Sequence, residues 1–199
     1  MPLIFEKQDQ HYHLIIWKIT EDEAFFSDVL GFNVDIKHEK RRIEHLAGRY
    51  LLKFLDKDFP IEKIVVSPKG KPEILNSGLF FSISHSYPFV AAIIGIDKAV
   101  GVDIQTYSEK IMRIKNKFLT AAEQAICENK IQKITIAWSA KEALFKYYGL
   151  GSLNFKRDMP IRDILWFENH AKISMELEVT RELLRLTGFC EKEFAVAWL

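Results

Sequence analysis

Trp138-Ser139-Ala140-Lys141-Glu142-Ala143-Leu144-Phe145-Lys146 is the stretch on which the reading of this chain turns. Read as a helix, each residue turns about 100° from the last. Ile134, Ala137, Trp138, Leu144, Phe145 and Tyr148 then share an apolar arc, with Lys141 near its middle. Glu142 falls at the edge of that arc, and Lys146 follows it at i+4. A lysine on a core-facing arc needs an anionic partner or a polar cleft, because an unpaired buried charge costs several kcal/mol. The plainer alternative is a lysine that snorkels past the core beside a surface Glu142–Lys146 pair.

Working outward, the composition describes a packed protein. The 199 residues are 48% apolar and 13% aromatic, and the 28 basic and 27 acidic residues leave a net charge of +1. That balance excludes a general nucleic-acid binder, which is usually strongly basic. Cys127 and Cys190 have no metal-ligand spacing and read as reduced thiols. Met1 to Lys7 lacks the apolar stretch of a signal peptide, and the apolar run Phe89 to Ile96 is too short to span a bilayer. A soluble, cytoplasmic protein with no membrane segment is the expectation.

Upstream, residues 13–19 read as a strand, and Thr20 with Glu23 as a capping box that opens a short helix. Ile43, Leu46, Ala47, Tyr50, Leu51, Phe54 and Leu55 mark the best-defined helix. Lys40, Arg41 and Arg42 crowd its first turn, against the macrodipole, and Arg42, Arg49 and Lys53 line one polar flank. A bound anion or a solvated face accounts for them. Ser67-Pro68-Lys69-Gly70-Lys71-Pro72 is a loop without the glycine spacing of a Walker motif, though its two lysines suit a phosphate. Residues 80–85 and 89–96 read as two strands joined at Ser86-Tyr87-Pro88, with hydroxyls and an imidazole at the Ser84-His85-Ser86 corner. In Ala99-Val100-Gly101-Val102-Asp103-Ile104-Gln105, alternation puts Gly101, Asp103 and Gln105 on one face.

Downstream, residues 111–118 and 121–126 read as helices, the second with a Thr120/Glu123 capping box. Gly149 is the expected C-cap of the central helix. Residues 164–167 and 173–179 form a hairpin, and 194–199 close the sheet. His11 and His13 alternate onto one strand face, a weak start for a zinc site without a third ligand. The order strand, helices, antiparallel strands occurs before residue 98 and again after it. The expected fold is α+β, in two similar α+β halves, 1–98 and 99–199, in a pseudo-dimeric arrangement.

Four stretches now stand in one order: Lys69-Gly70-Lys71-Pro72, Ser82-Ile83-Ser84-His85-Ser86, Val100-Gly101-Val102-Asp103, and Trp138-Ser139-Ala140-Lys141-Glu142-Ala143 with Lys146. Phe118 and Glu123 fit between the last two. The set resembles the 4'-phosphopantetheinyl transferases of the surfactin-synthetase-activating type, from about residue 38 to 151. The resemblance implies a pseudo-dimer holding coenzyme A between its halves. It implies transfer of the phosphopantetheine arm to a serine of an apo acyl or peptidyl carrier protein, releasing adenosine 3',5'-bisphosphate.

By the same resemblance, Asp103 and Glu142 hold Mg²⁺ against the pyrophosphate. Lys141 and Lys146 contact phosphate or the leaving group, and Glu142 or a water it orients takes the serine proton. Lys71, with Lys69 beside it, and the Ser84-His85 corner take the 3'-phosphate end, with Lys40 and Arg42 as a looser addition. Gln105 stands where many members carry an acid, so its amide oxygen or a water would complete the metal site. Independently of the resemblance, Mg²⁺ prefers one or two carboxylates with substrate phosphates, the number Asp103 and Glu142 supply. A monomer suffices for such a two-half protein. The competing readings are a non-catalytic module that binds coenzyme A or a carrier protein, and another metal-dependent phosphotransferase.

Overall fold

The computed structural model describes residues 2–199. The chain is α+β, and its two compact units divide between Val100 and Gly101.

In the first unit, β1 (Leu3–Gln8), β2 (Tyr12–Lys18), β5 (Phe80–Ser86) and β6 (Phe89–Gly95) form an antiparallel sheet in the order β1-β2-β6-β5. Helices α1 (Glu23–Leu30) and α2 (Glu39–Leu55) cover it, and β3 (Val65–Val66) and β4 (Pro72–Glu73) make a separate two-stranded ribbon. The Ser67 to Lys71 loop is the turn of that ribbon, closed by Ser67 N donating to Lys71 O at 2.9 Å. The α2 periodicity is met in part: Ile43, Leu46, Ala47 and Leu51 are buried, with Leu52 beside them, against Ile15, Val90 and Ala92 of the sheet, while Phe54 is exposed. Gly48 allows the closest approach, because a Cβ there would stand 2.7 Å from Ile83 Cγ2 on β5. The cap of α1 differs from the expected Thr20: Asp22 accepts from Phe25 N. The edge strand β1 was not anticipated, since Leu3 to Gln8 is half polar and none of its residues is buried.

In the second unit, β7 (Val102–Thr106), β8 (Ile161–Phe167), β9 (His170–Leu177), β10 (Glu182–Cys190) and β11 (Phe194–Trp198) form an antiparallel sheet in the order β7-β11-β10-β9-β8. Helices α3 (Glu109–Phe118), α4 (Ala121–Ile126) and α5 (Ile131–Tyr148) complete it. The α4 capping box is present in both directions. Gly149 ends α5 in the left-handed region at φ 67°, donating its N–H to Phe145 O.

Helix α5 is buried on more sides than the sequence arc implied. Thr135, Ile136, Ser139, Ala140 and Ala143 are buried along with Ile134, Ala137, Lys141 and Leu144. The small residues Ala137, Ala140 and Ala143 let it lie against β7 and β11. Trp138 takes the flank, edge-on to Phe118 at 4.7 Å.

Candidate active site

Gly101 sets the geometry. A Cβ at that position would fall 2.1 Å from the Ala143 carbonyl oxygen, so only glycine lets α5 pack this close to the start of β7. Residue 142 of α5 is thereby brought beside residue 103 of β7. Asp103 is 3% exposed, on a strand whose neighbours Val102 and Ile104 are fully buried.

Lys146 reaches the same point from one turn further along α5. Its Nζ donates to Asp103 Oδ1 at 2.8 Å and to Val102 O at 3.0 Å. Gln105 Nε2 donates to Asp103 Oδ2 at 3.2 Å. Glu142 is half-buried, and no hydrogen bond or ion pair holds its carboxylate among the described residues. Burial, and then the Asp103 charge, push it up to about 7, against the opposing pull of Lys146. Two carboxylates thus share one lysine, and the second acid is short of positive charge. A divalent cation fits this oxygen donor set: two carboxylates leave the remaining positions for water or phosphate oxygens.

Lys141 belongs to a different group. It is fully buried, which excludes the snorkelling alternative. Its Nζ donates to Glu123 Oε1 at 2.6 Å and to Phe155 O at 2.7 Å. Glu123 also accepts from Ile161 N at 2.8 Å and, through Oε2, from Thr120 N at 2.6 Å. Burial lowers the Lys141 pKa, against the pull of Glu123. The ammonium is therefore enclosed by protein partners. Through these contacts Lys141 and Glu123 join α4, α5, the Phe155 loop and β8. The pairing with Glu123 was missed, although a capping-box acid and a lysine in need of an anion were both legible.

In the first unit, Lys71 is half-buried and Lys69 exposed on the ribbon turn. Lys71 borders a cavity of about 250 Å³ lined also by Ile74, Asn76, Leu79, Phe81 and Val100. Ser84 is buried on β5, and the exposed His85 places Nδ1 3.2 Å from Glu44 Oε2. The looser candidates are engaged elsewhere. Arg42 binds Glu23 through Nε at 2.8 Å and the Ile36 carbonyl through Nη1 at 2.9 Å, clamping α1 to α2. Lys40 sits over the Tyr87 ring at 4.8 Å. His11 and His13 meet separate acids, Asp97 at 3.1 Å and Glu6 at 2.8 Å, so they do not converge on a zinc site.

A profile of the 4'-phosphopantetheinyl transferase superfamily matches residues 99–198, half of the chain, from the glycine that seats α5 through the last strand. The chain belongs to the 4'-phosphopantetheinyl transferase superfamily. The match contains Asp103, Gln105, Glu123, Lys141, Glu142 and Lys146. Lys71, Ser84 and His85 lie outside it. A Haemophilus influenzae protein named "Putative 4'-phosphopantetheinyl transferase" is 27% identical over 124 residues, covering 58% of this chain and 53% of the relative. The chain thus spans about half the length of that curated relative. Among the described residues, no helix is long and apolar enough to cross a membrane.

Proposed function

We propose that this superfamily member is of the surfactin-synthetase-activating type and transfers the 4'-phosphopantetheine arm from coenzyme A to a serine of an apo acyl or peptidyl carrier protein. The observation that carries the reading is the second carboxylate: Glu142 is pushed up by burial and by the charge of Asp103, which itself accepts from Lys146 Nζ at 2.8 Å. Two carboxylates and a lysine suit a divalent cation held against a diphosphate.

When bound, Mg²⁺ would supply charge neutralisation at the diphosphate, held by Asp103 and Glu142. Gln105 orients Asp103 through its amide N–H, and its amide oxygen or a water would complete a cation site there. Phosphoryl-type displacement depends on positioning and electrostatics. The serine oxygen forms a bond to the pantetheine-bearing phosphorus, and the bond from that phosphorus to the bridging oxygen breaks. Adenosine 3',5'-bisphosphate leaves. Lys146 stabilises the charge that grows on the departing phosphate. Glu142, directly or through a water it orients, takes the serine proton. We assign Lys69, Lys71, Ser84 and His85 to the 3'-phosphate end of the nucleotide.

The test is incubation of the chain with coenzyme A, Mg²⁺ and several apo carrier proteins, followed by intact-mass measurement. The expected result is one added phosphopantetheine on a carrier serine. Coenzyme A binding with no mass gain on any carrier would leave a non-catalytic binding module.

A further inference from the structure

Ser139 on α5 is fully buried, and its hydroxyl has no hydrogen-bond partner among the described residues. A buried polar group left without a bond carries the full cost of its lost hydration. The same helix shows the ordinary solution. Thr135, one turn earlier and also buried, donates its hydroxyl to the Ile131 carbonyl at 2.7 Å. Ser139 makes no such bond back to its own helix. Packing does not call for a serine either, since Ala137, Ala140 and Ala143 of the same helix are fully buried without a hydroxyl.

Position supplies the reason. Ser139 precedes Glu142 by three residues and Lys146 by seven, so the three share one stripe of α5. Side chains on a helix lean toward its N-terminus and lie over the preceding turn. For Glu142 that is the turn that carries Ser139. Lys146, at the far end of the stripe, is already committed to Asp103 Oδ1 at 2.8 Å and Val102 O at 3.0 Å. Glu142 is half-buried, and its carboxylate has no bond among the described residues. A buried donor without an acceptor thus stands one turn from a carboxylate without a donor. The other buried polar atoms left unpaired, on Ser27 of α1 and Trp166 of β8, belong to elements away from this stripe.

We propose that Ser139 is a positioning residue for the cation site: with one Glu142 oxygen turned to a divalent cation, the Ser139 hydroxyl donates to the other. This rests on the reading of Asp103 and Glu142 as a cation site. A hydrogen bond behind a metal-ligating carboxylate fixes its direction and is worth a measurable share of the metal affinity. The hydroxyl is unsatisfied in the empty chain and satisfied in the loaded one.

The experiment uses the full chain at fixed pH. Mn²⁺ binding, followed by its paramagnetic signal, and urea unfolding without metal are measured for the wild type, Ser139→Ala and Ser139→Cys, whose thiol is close in size and a weak donor. Ser139→Ala should weaken Mn²⁺ binding about tenfold, the lower end for losing a bond behind a metal ligand, and Ser139→Cys should lose most of that factor. Ser139→Ala should unfold at the same or a higher urea concentration than the wild type, because it removes a hydroxyl that the empty chain leaves unbonded. In carrier loading, Ser139→Ala should raise the Mg²⁺ concentration for half-maximal rate by about tenfold and leave the rate at saturating Mg²⁺ within about twofold. Undiminished Mn²⁺ affinity in Ser139→Ala overturns the proposal. So does a clear loss of metal-free stability in that variant, which would mean that the hydroxyl is already partnered in the empty chain. A wild type that binds no Mn²⁺ is a separate result, and it overturns the cation reading on which the proposal rests.

Discussion

Lys141 and Lys146 stand little more than one turn apart on the same helix and meet carboxylates in opposite ways. Lys141 and Glu123 are closed: both are buried, and their remaining capacity is filled by Phe155 O, Ile161 N and Thr120 N. Lys146 is partly exposed, and its partner Asp103 is shadowed by Glu142, which has no cation of its own. One cluster is finished by the fold. The other is left with an excess of negative charge. The first holds the second in place, because Lys141 and Glu142 are consecutive on α5.

The contrast is broken most sharply at Glu142. Glu142→Gln should lower carrier loading on the order of 10³-fold, the scale of losing a preorganised electrostatic group. The same change removes repulsion with Asp103, so urea unfolding should show equal or higher stability. Lys141→Ala should do the reverse. It leaves the Glu123 carboxylate buried and unpaired, at a cost of about 3–5 kcal/mol in unfolding free energy. Loading by the fraction that stays folded should fall far less than for Glu142→Gln.

A smaller effect follows from pH. The Glu142 carboxyl has an ordinary value of 4.5 and is raised to about 7 in the folded chain. Between those values the folded chain holds a proton that the unfolded chain has released. Stability without metal therefore falls as pH rises through that window. Divalent cation affinity runs the other way, rising with pH and levelling above about 7. Unfolding of wild type and Glu142→Gln across this range checks the sign: the downward slope should shrink in the variant. The smallest expected effect is Gln105→Ala, a loss of about tenfold or less in activity, the lower end for a residue that orients a metal ligand. Complete loss at saturating Mg²⁺ would make Gln105 a primary ligand instead.

The open cluster was more legible in the sequence than the closed one. Asp103, Glu142 and Lys146 sit in short motifs whose spacing on a strand and a helix fixes their directions, and Gly101 announces the close approach. The Lys141–Glu123 pair joins two elements through tertiary packing, which periodicity does not encode. Sequence gave the lysine's need for an anion but not its partner. Arg49 stood on a polar flank for which a bound anion and a solvated face were both open. Strand β10 was missed although Leu184, Leu186 and Gly188 alternate inward; polar Arg185 and Thr187 on the outer positions masked the run. The helix starts were legible to within a few residues, as at Thr120, where side chain and backbone satisfy each other locally.

The central claim is that Asp103 and Glu142 hold one divalent cation. Mn²⁺ binding, followed by its paramagnetic signal with coenzyme A present and displaced by Mg²⁺, tests it most directly. A single ion per chain is predicted for the wild type, lost in Asp103→Asn and in Glu142→Gln. Either variant binding Mn²⁺ as tightly as the wild type would contradict the account.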